Sequence, residues 1–185
     1  MRLGADGRVA GARYVASPNH DERPDAAEIT LLVVHSISLP PGEYGGDAIE
    51  RLFTNRLDPD AHPYFRRILP LEVSSHFLIR RDGELVQFVP TARRAWHAGA
   101  SAWRGRPRCN DFSIGVELEG ADDGPFEDIQ RERLAQLITA LREVLPLRDI
   151  AAHSDVAPGR KTDPGPGFAW ARLLADLARS SRART

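Results

Sequence analysis

The sequence Leu-Leu-Val-Val-His at residues 31–35 is a short, continuous apolar run without the alternation of a half-exposed strand. Such a run is typical of a β-strand that is buried on both faces, inside a sheet that helices cover. Two further segments, residues 75–80 and 84–89, flank Asp82-Gly83, which is a strong signal for a β-hairpin. The chain is therefore expected to fold around a central β-sheet.

Strand and helix patterns alternate along the rest of the chain. Further strands are predicted at residues 112–119 and 149–153, and helical spacing of apolar side chains predicts helices at about 47–56, 127–145 and 170–177. Strands that alternate with helices around a hairpin indicate an α/β fold with a mixed central β-sheet and flanking helices. Residues 58–73 contain three prolines and are expected to form a long irregular loop, and residues 179–185 a disordered polar tail.

The composition limits the classes of protein to which this chain can belong. With 185 residues, it is expected to form a single domain, residues 1–185, around one core. A net charge of -1 attracts neither nucleic acid nor anionic membranes. The N-terminus lacks the apolar segment of a signal peptide, and a single cysteine, Cys109, excludes an internal disulfide and suits a reducing compartment. These features predict a cytoplasmic protein, and no nucleic-acid, membrane or protein partner is expected.

Two histidines, His35 and His153, each stand at the C-terminal end of a predicted buried strand, where open α/β sheets place their ligands. Two histidines and one carboxylate form a zinc-binding set that leaves the fourth position open for water. Spacing alone allows either Asp155 or Asp163 to be the carboxylate, although the Asp163-Pro164 bond favours an extended backbone at Asp163. We therefore predict a zinc site. The alternative is that one histidine is hydrogen-bonded in the core and the other caps a strand.

The loop at residues 153–167 is stiffened by Pro158, Pro164 and Pro166, because proline fixes its own φ angle. It also carries Lys161, the only lysine of the chain against 24 arginines. Lysine places a compact, rotatable ammonium where arginine would place a rigid planar fork, so the two are not interchangeable at a site. The loop is thus expected to hold a histidine, a lysine and a carboxylate in a fixed shape.

Glu117 lies on the face of its predicted strand whose earlier positions are the small residues Ser113 and Gly115. Small residues leave room above a sheet for a ligand or for another backbone segment. A carboxylate beyond such a gap is a candidate general base, and we assign this role to Glu117. Glu119 shares the face but is expected to be exposed, and to act on the site only through its charge or through outer contacts.

Two residues are candidates for contacts with a substrate. Trp96 opens the segment Trp-His-Ala-Gly at residues 96–99 and could wall a cleft and stack on a sugar ring, although an ordinary core position fits equally well. Arg108 belongs to a cluster of three arginines and could grip a substrate carboxylate, although such clusters usually face solvent. Cys109 has no base beside it in sequence and is expected to be inert, and His76, inside the hairpin, to be structural.

Five stretches of the sequence together resemble one known family. They are residues 31–46, 76–83, 94–99, 108–120 and 160–166, and the resemblance extends over about residues 10–175. The chain resembles the zinc N-acetylmuramoyl-L-alanine amidases of the amidase-2 and peptidoglycan-recognition-protein superfamily. Within it, the chain is most similar to the cytoplasmic amidases that act on 1,6-anhydro-muropeptides. Trp96 and Arg108 fall where this family lines its cleft.

The resemblance implies a zinc ion bound by His35, His153 and Asp163. It implies Glu117 as the catalytic carboxylate and Lys161 as the cation at the developing oxyanion. The expected reaction is hydrolysis of the amide between (1,6-anhydro-)N-acetylmuramic acid and L-alanine in a small soluble muropeptide, during cell-wall recycling. The alternatives are a non-catalytic peptidoglycan-binding protein and an envelope or phage amidase that acts on intact peptidoglycan.

Overall fold

Residues 1–24 and 27–182 are described by the computed structural model, and they form strands and helices in the predicted alternation. The strands are β1 (Arg13–Tyr14), β2 (His20–Glu22), β3 (Leu31–Ile37), β4 (Phe77–Ile79), β5 (Leu85–Gln87), β6 (Arg93–Ala95), β7 (Ala102–Trp103), β8 (Arg106–Pro107), β9 (Ser113–Glu119) and β10 (Asp149–Ala152). The α-helices are α1 (Ala48–Phe53), α2 (Phe65–Ile68), α3 (Asp128–Arg142), α4 (His153–Val156) and α5 (Trp170–Arg182), and a 3-10 helix spans Cys109–Asp111.

A six-stranded sheet in the order β1-β5-β4-β9-β3-β10 forms the centre of the fold. The four strands from β4 to β10 in this order run parallel to one another, while β4 and β5 form the antiparallel hairpin. The predicted α/β class with a mixed central sheet is therefore confirmed. Because β3 and β9 are both interior strands of the sheet, helices and loops can cover both of their faces, which the continuous apolar run in β3 requires.

Alternation along β3 divides its side chains between two layers of core. Leu32 and Val34 face the layer that α3 and α5 cover, where Leu137 and Leu173 are fully buried. Each fully buried leucine side chain contributes about 1.5–3 kcal/mol to folding. Leu31 and Val33 face the opposite layer, with Ala151 and Val156 of the β10–α4 segment, so the next residue of that face, His35, also points to this side.

Three local predictions require correction. The expected irregular loop of residues 58–73 contains the short helix α2, whose Phe65 is buried in an apolar cluster with Leu52 and Phe53 of α1. Neither histidine ends its predicted strand, because β3 continues beyond His35 to Ile37 and His153 begins α4 directly after β10. The tail expected to be disordered from residue 179 begins inside α5, which continues to Arg182, and residues 183–185 lie outside the described residues.

Glu119 was expected to be exposed, and this prediction is wrong, because it is only 2% exposed. Its Oε1 accepts hydrogen bonds from the backbone N–H of Gly45 at 2.7 Å and from Arg80 at 3.2 Å, and its Oε2 accepts one from the N–H of Arg81 at 3.2 Å. Partners from two other segments thus allow a carboxylate to be buried at the end of β9. None of the helices in residues 1–24 and 27–182 has the length and apolarity to cross a bilayer.

Candidate metal centre

Parallel pairing of β3 with β10 brings the two predicted histidines together. Ala152 is the register partner of Val34, so the residues that follow, His153 and His35, emerge side by side at one edge of the sheet. The loop after α4 returns Asp163 to the same place, where its backbone carbonyl accepts a hydrogen bond from Ser154 N at 3.0 Å. The three predicted ligands, distant in sequence, are therefore neighbours in the fold.

The ligating atoms of these residues converge. His35 Nδ1 and His153 Nδ1 are 2.9 Å apart, and Asp163 Oδ2 lies 2.9 Å from the Nδ1 of His153 and 3.3 Å from that of His35. All three residues are buried, with 1%, 3% and 8% of their surface exposed. Among the described residues they form the group of histidine, cysteine and acidic side chains that can hold a metal ion.

The chemistry of this donor set fits a divalent cation. Each neutral imidazole has one lone pair, and both rings turn Nδ1 toward a carboxylate oxygen that also carries lone pairs. A cation satisfies all three acceptors at once, and two imidazole nitrogens with one carboxylate oxygen are a ligand set that zinc takes in its open sites. Without the cation, burial lowers the pKa of His35 to about 4. Its ring is thus neutral near pH 7, the form in which histidine binds metals.

The carboxyl group of Asp163 stays ionised despite its burial. Burial by itself raises the pKa of a carboxyl group, but the hydrogen bonds of Asp163 with His153 and His35 outweigh this effect and hold its pKa well below the usual range. A charged carboxylate oxygen that lies beside two imidazole nitrogens is an electrostatic arrangement that favours a bound cation.

Glu117 stands beside this group with one oxygen unused. It is the register partner of His35, and its Oε1 lies 4.0 Å from His35 Nδ1. Its Oε2 is buried and has no hydrogen-bond partner among the residues that the structure describes. Burial raises the pKa of Glu117 well above the ordinary value, the charge of Asp163 raises it further, and the ammonium of Lys161 opposes this rise. An unpartnered buried carboxylate with a raised pKa is suited to take up and release a proton.

These side chains open into a cavity of about 670 Å³, a size that accommodates a small organic ligand. Its polar lining includes His35, His97, Glu117, His153, Lys161 and Asp163, and apolar side chains of α1, α2 and the adjacent loops complete it. Lys161, which is itself exposed, reaches the cavity from the same loop as Asp163. The five residues predicted to bind metal and to carry chemistry are therefore brought together.

The other sequence candidates lie elsewhere. Asp155 is exposed and accepts a hydrogen bond from the N–H of Ala152, as the cap of α4, so of the two aspartates only Asp163 belongs to the candidate metal centre. Neither Trp96 nor Arg108 lines the cavity. Arg108 instead forms an ion pair with Asp111 at 2.5 Å, so its guanidinium is already engaged. The structure does not bring these two predicted substrate contacts into the site.

His76 and Cys109, which were not expected to take part in chemistry, are both buried. His76 is fully buried, and its Nδ1 accepts a hydrogen bond from the N–H of Gly115 at 3.0 Å, which is a structural role. Cys109 is free and buried, and burial raises the pKa of its thiol, so little reactive thiolate is present at neutral pH.

Two residues at the site were missed by sequence reasoning. His97 was treated only as part of the segment after Trp96, but its Nδ1 lies 2.9 Å from His35 Nε2. Asp122 carries no motif, yet its Oδ1 accepts a hydrogen bond from Ser36 at 2.5 Å and its Oδ2 one from Thr162. It thereby joins the chain beside His35 to the loop of Asp163. No local signal in the sequence marks either contact, because each joins segments more than 39 residues apart.

The loop of Asp163 packs tightly on the Asp122 segment through a glycine. Gly165 has a φ of +77°, and a Cβ added there would lie 2.0 Å from the carbonyl oxygen of Asp122. Because a side chain at this position would collide with backbone, only glycine permits the contact. This close approach, and not proline stiffness alone, fixes the loop.

The fold and the site together define an α/β protein whose parallel strands end at a buried set of metal-ligating side chains beside an unpaired carboxylate. Residues 25–166 match the family model Amidase_2, N-acetylmuramoyl-L-alanine amidase, and the chain belongs to this family. The family expected from the sequence is thus confirmed.

Three known proteins illustrate the similarity. The 1,6-anhydro-N-acetylmuramyl-L-alanine amidase AmpD of Enterobacter cloacae is 56% identical over 178 residues, which cover 95% of each chain. The crystal structure of a selenomethionine derivative of AmpD superposes with a TM-score of 0.93 at 55% identity, and covers 96% of this chain and 99% of that one. A complex of the E. coli N-acetylmuramyl-L-alanine amidase AmiD with its substrate anhydro-N-acetylmuramic acid-L-Ala-D-γ-Glu-L-Lys is 32% identical, with a TM-score of 0.59, and covers 84% of this chain and 60% of that chain.

Proposed function

We propose that this protein is a zinc-dependent amidase that hydrolyses the bond between 1,6-anhydro-N-acetylmuramic acid and L-alanine in soluble muropeptides, during the recycling of cell-wall fragments. The observation that carries the proposal is the convergence of His35, His153 and Asp163 beside the unpartnered carboxylate of Glu117. Membership of the amidase family and the high identity to AmpD support the reaction and its substrate class.

In this proposal the zinc would be held by His35 Nδ1, His153 Nδ1 and Asp163 Oδ2. When bound, zinc supplies a Lewis acid and lowers the pKa of coordinated water toward neutrality. The protein fixes the ligands in place through the parallel strands β3 and β10 and through the loop that packs on Asp122. The described residues supply three ligands, so a zinc ion held there would keep a position for water or substrate.

Glu117 is the proposed general base and acid. Its Oε2 takes a proton from the attacking water and later gives this proton to the nitrogen of the leaving L-alanine. An amide nitrogen leaves as an amine only when it is protonated, so the reaction needs a group that can move one proton in both directions. Burial raises the pKa of Glu117 well above its ordinary value, so its carboxylate takes up a proton more readily than an exposed glutamate does and can then pass that proton on.

Lys161 is the proposed cation at the oxyanion. Attack on the lactyl carbonyl places negative charge on its oxygen, and an ammonium aimed at that oxygen stabilises the transition state more than the ground state. Lys161 lies on the cavity wall, on the loop that carries Asp163, so the ligand and the cation are placed by one rigid segment.

The substrate assignment rests on size and on relatives. A cavity of about 670 Å³ with polar and apolar walls suits a sugar joined to a short peptide. We place the enzyme in the cytoplasm, which suits its single free cysteine and supplies small soluble muropeptides rather than intact wall.

The test combines metal analysis with a product assay on the purified protein. We expect about one zinc ion per chain, and release of anhydro-N-acetylmuramic acid and a peptide with free N-terminal L-alanine from an anhydromuropeptide. Removal of zinc by a chelator should abolish release, and added zinc should restore it. Stoichiometric zinc without cleavage would favour a non-catalytic peptidoglycan-binding protein, and faster release from intact sacculi than from the soluble substrate would favour a wall-degrading amidase.

A further inference from the structure

We infer that His97 and the carbonyl of the adjacent Ala98 orient the two histidine ligands of the metal centre, with His97 as the positioning residue for His35. The inference deepens the proposed function and rests on its zinc site. The imidazoles of His35 and His97 stand at 89° with their centroids 5.0 Å apart, and His97 Nδ1 lies 2.9 Å from His35 Nε2. This is hydrogen-bond distance between two ring nitrogens.

Metal binding through Nδ1 of His35 would determine which nitrogen of each of the two rings carries a proton. If Nδ1 of His35 presents its lone pair to the metal, the proton of the ring is on Nε2 and is donated to His97 Nδ1. The proton of His97 is then on its Nε2, which lies 3.2 Å from Ser113 Oγ. The hydroxyl of Ser113 in turn donates to the carbonyl oxygen of Cys109 at 2.6 Å. Each group has one consistent role, so the chain of hydrogen bonds selects the metal-binding tautomer of His35.

The second histidine is oriented from the same short segment. The Nε2 of His153 lies 3.3 Å from the carbonyl oxygen of Ala98, and this acceptor likewise leaves its Nδ1 free for the metal. The segment is held from behind by Asn110, whose Oδ1 accepts hydrogen bonds from the backbone N–H of His97 at 3.3 Å and of Ala98 at 2.8 Å. One loop therefore supports both ligands, through one side chain and one carbonyl.

The small residue Gly115 makes room for this support. A Cβ added at Gly115 would lie 2.5 Å from the Cγ of His97, so the imidazole occupies the space above the sheet that a side chain would fill. The small residues of this strand face predict a space for a ligand or a backbone segment. The space above Gly115 is filled instead by the imidazole of His97, which contacts His35. Glu117, two residues further along the same strand face, lines the cavity.

Removal of the acceptor, His97 Nδ1, should weaken metal binding by His35 without unfolding the protein. Without His97 Nδ1, the N–H of His35 is buried and unpaired, and its ring loses the contact that fixes its rotation. Loss of such an outer contact typically lowers metal affinity about 10–100-fold. We expect this loss for His97→Leu, which fills similar space without an acceptor.

The decisive comparison is with His97→Asn. The amide oxygen of asparagine takes the place of Nδ1 and can accept the same hydrogen bond, although it cannot reproduce the donor to Ser113. Zinc dissociation constants are measured by competition with a chromophoric chelator on the metal-free protein, with His62→Asn as the control, because His62 does not line the cavity. We expect His97→Asn and the control to bind zinc about as tightly as the unaltered chain, and His97→Leu to bind it about 10–100-fold more weakly.

The possible results separate the inference from the zinc site itself. Unaltered affinity in His97→Leu, or an equal loss in both His97 variants, would overturn the positioning role while leaving the zinc proposal intact. Failure of the unaltered chain to bind zinc would overturn both. Should the variants not fold, ¹⁵N spectra of the zinc-loaded, unaltered chain still decide: we expect His97 Nδ1 to be unprotonated, and a proton on that nitrogen would contradict the inference.

Discussion

Glu117 is the register partner of His35 on the neighbouring parallel strand, and its Oε1 lies 4.0 Å from His35 Nδ1. The spacing between the proposed base and a proposed metal ligand is therefore fixed by the backbone hydrogen bonds of two interior strands, β9 and β3, rather than by a loop. Because side chains of register partners project from the same face, their relative position is set by the sheet. A substitution that keeps the shape of Glu117 should consequently change the chemistry and leave the ligands in place.

Glu117→Gln tests this directly. The amide has the volume of the carboxyl group but cannot accept a proton from water, so we expect kcat on an anhydromuropeptide to fall about 10²–10⁴-fold. Zinc content should stay at the level of the unaltered protein, because Glu117 is not part of the ligand set. Steady-state kinetics with metal analysis on the same sample measure both. Substantial turnover in the zinc-loaded variant would exclude Glu117 as the proton carrier.

The same substitution should stabilise the metal-free protein, and the effect should depend on pH. Burial raises the pKa of Glu117 in the folded state above its unfolded value, so the protonated form favours folding and this stability is lost as pH rises through the folded pKa. The variant has no charge to bury. Its advantage in free energy of unfolding should therefore be near zero at pH 4 and grow to about 1–3 kcal/mol toward pH 8.

Urea unfolding of both metal-free proteins across this pH range measures the difference. An advantage that is constant with pH would show that the charge of Glu117 is already compensated in the folded protein.

Much of this arrangement could be predicted from the sequence because it depends on strands. The apolar run before His35 and the short strand before His153 predict that both residues lie near the C-terminal ends of buried strands, and parallel pairing of β3 with β10 then brings them together. The alternation of its strand predicts the face on which Glu117 lies, and the register of β9 with β3 then places it beside His35. The choice between Asp155 and Asp163 could not be made from spacing, because it depends on how the loop folds back onto the ligands.

Other features could not be predicted because they depend on contacts between distant segments. Glu119 was expected to be exposed, since nothing near it in sequence indicates that Arg80 and the N–H of Gly45 will pair with its carboxylate. The approach of His97 to His35 is likewise invisible in either segment alone. Local patterns predict secondary structure and strand ends, whereas the burial of a polar group is decided by partners that the pattern does not contain.

Comparison of Asp155 and Asp163, the two aspartates of residues 153–167, tests the assignment of Asp163 as a metal ligand. Asp163→Ala should remove zinc together with activity, because it deletes the oxygen at 2.9 Å from His153 Nδ1. Asp155→Ala is the matched control, since Asp155 is exposed and only caps α4. It should retain zinc and lose about 0.5–2 kcal/mol of stability at most. Atomic absorption on both purified variants decides, and a zinc-replete, active Asp163→Ala would exclude that ligand.

Substitution of Lys161 separates its charge from its shape. Lys161→Gln removes the cation and should lower kcat about 10²–10³-fold, as the loss of an oxyanion partner does elsewhere. Lys161→Arg keeps the charge but spreads it over a bulkier planar group, so we expect an intermediate loss of about 10–100-fold. Zinc content should be unchanged in both, because the side chain is not a ligand. Kinetics at saturating anhydromuropeptide measure the effect, and full activity of Lys161→Gln would remove the lysine from the mechanism.

Two glycines of the loop at residues 153–167 should respond differently to substitution by alanine. Gly159 and Gly165 have φ angles of +75° and +77°, so alanine is strained at both by about 1–2 kcal/mol. A Cβ at Gly159 would meet no atom of the described part of the chain within 4 Å, whereas one at Gly165 would lie 2.0 Å from the carbonyl oxygen of Asp122. Gly165→Ala must therefore displace the loop that carries Asp163, two residues away.

We expect Gly159→Ala to lower the stability of the metal-free protein slightly and to leave its zinc affinity unchanged. Gly165→Ala should cost more stability and also weaken zinc binding, because the displaced loop moves a ligand oxygen away from His35 and His153. Thermal unfolding of the metal-free variants and zinc titration report the two effects separately. Equal behaviour of the two variants would show that the contact with Asp122 does not hold Asp163 in place, and that the loop prolines alone fix its shape.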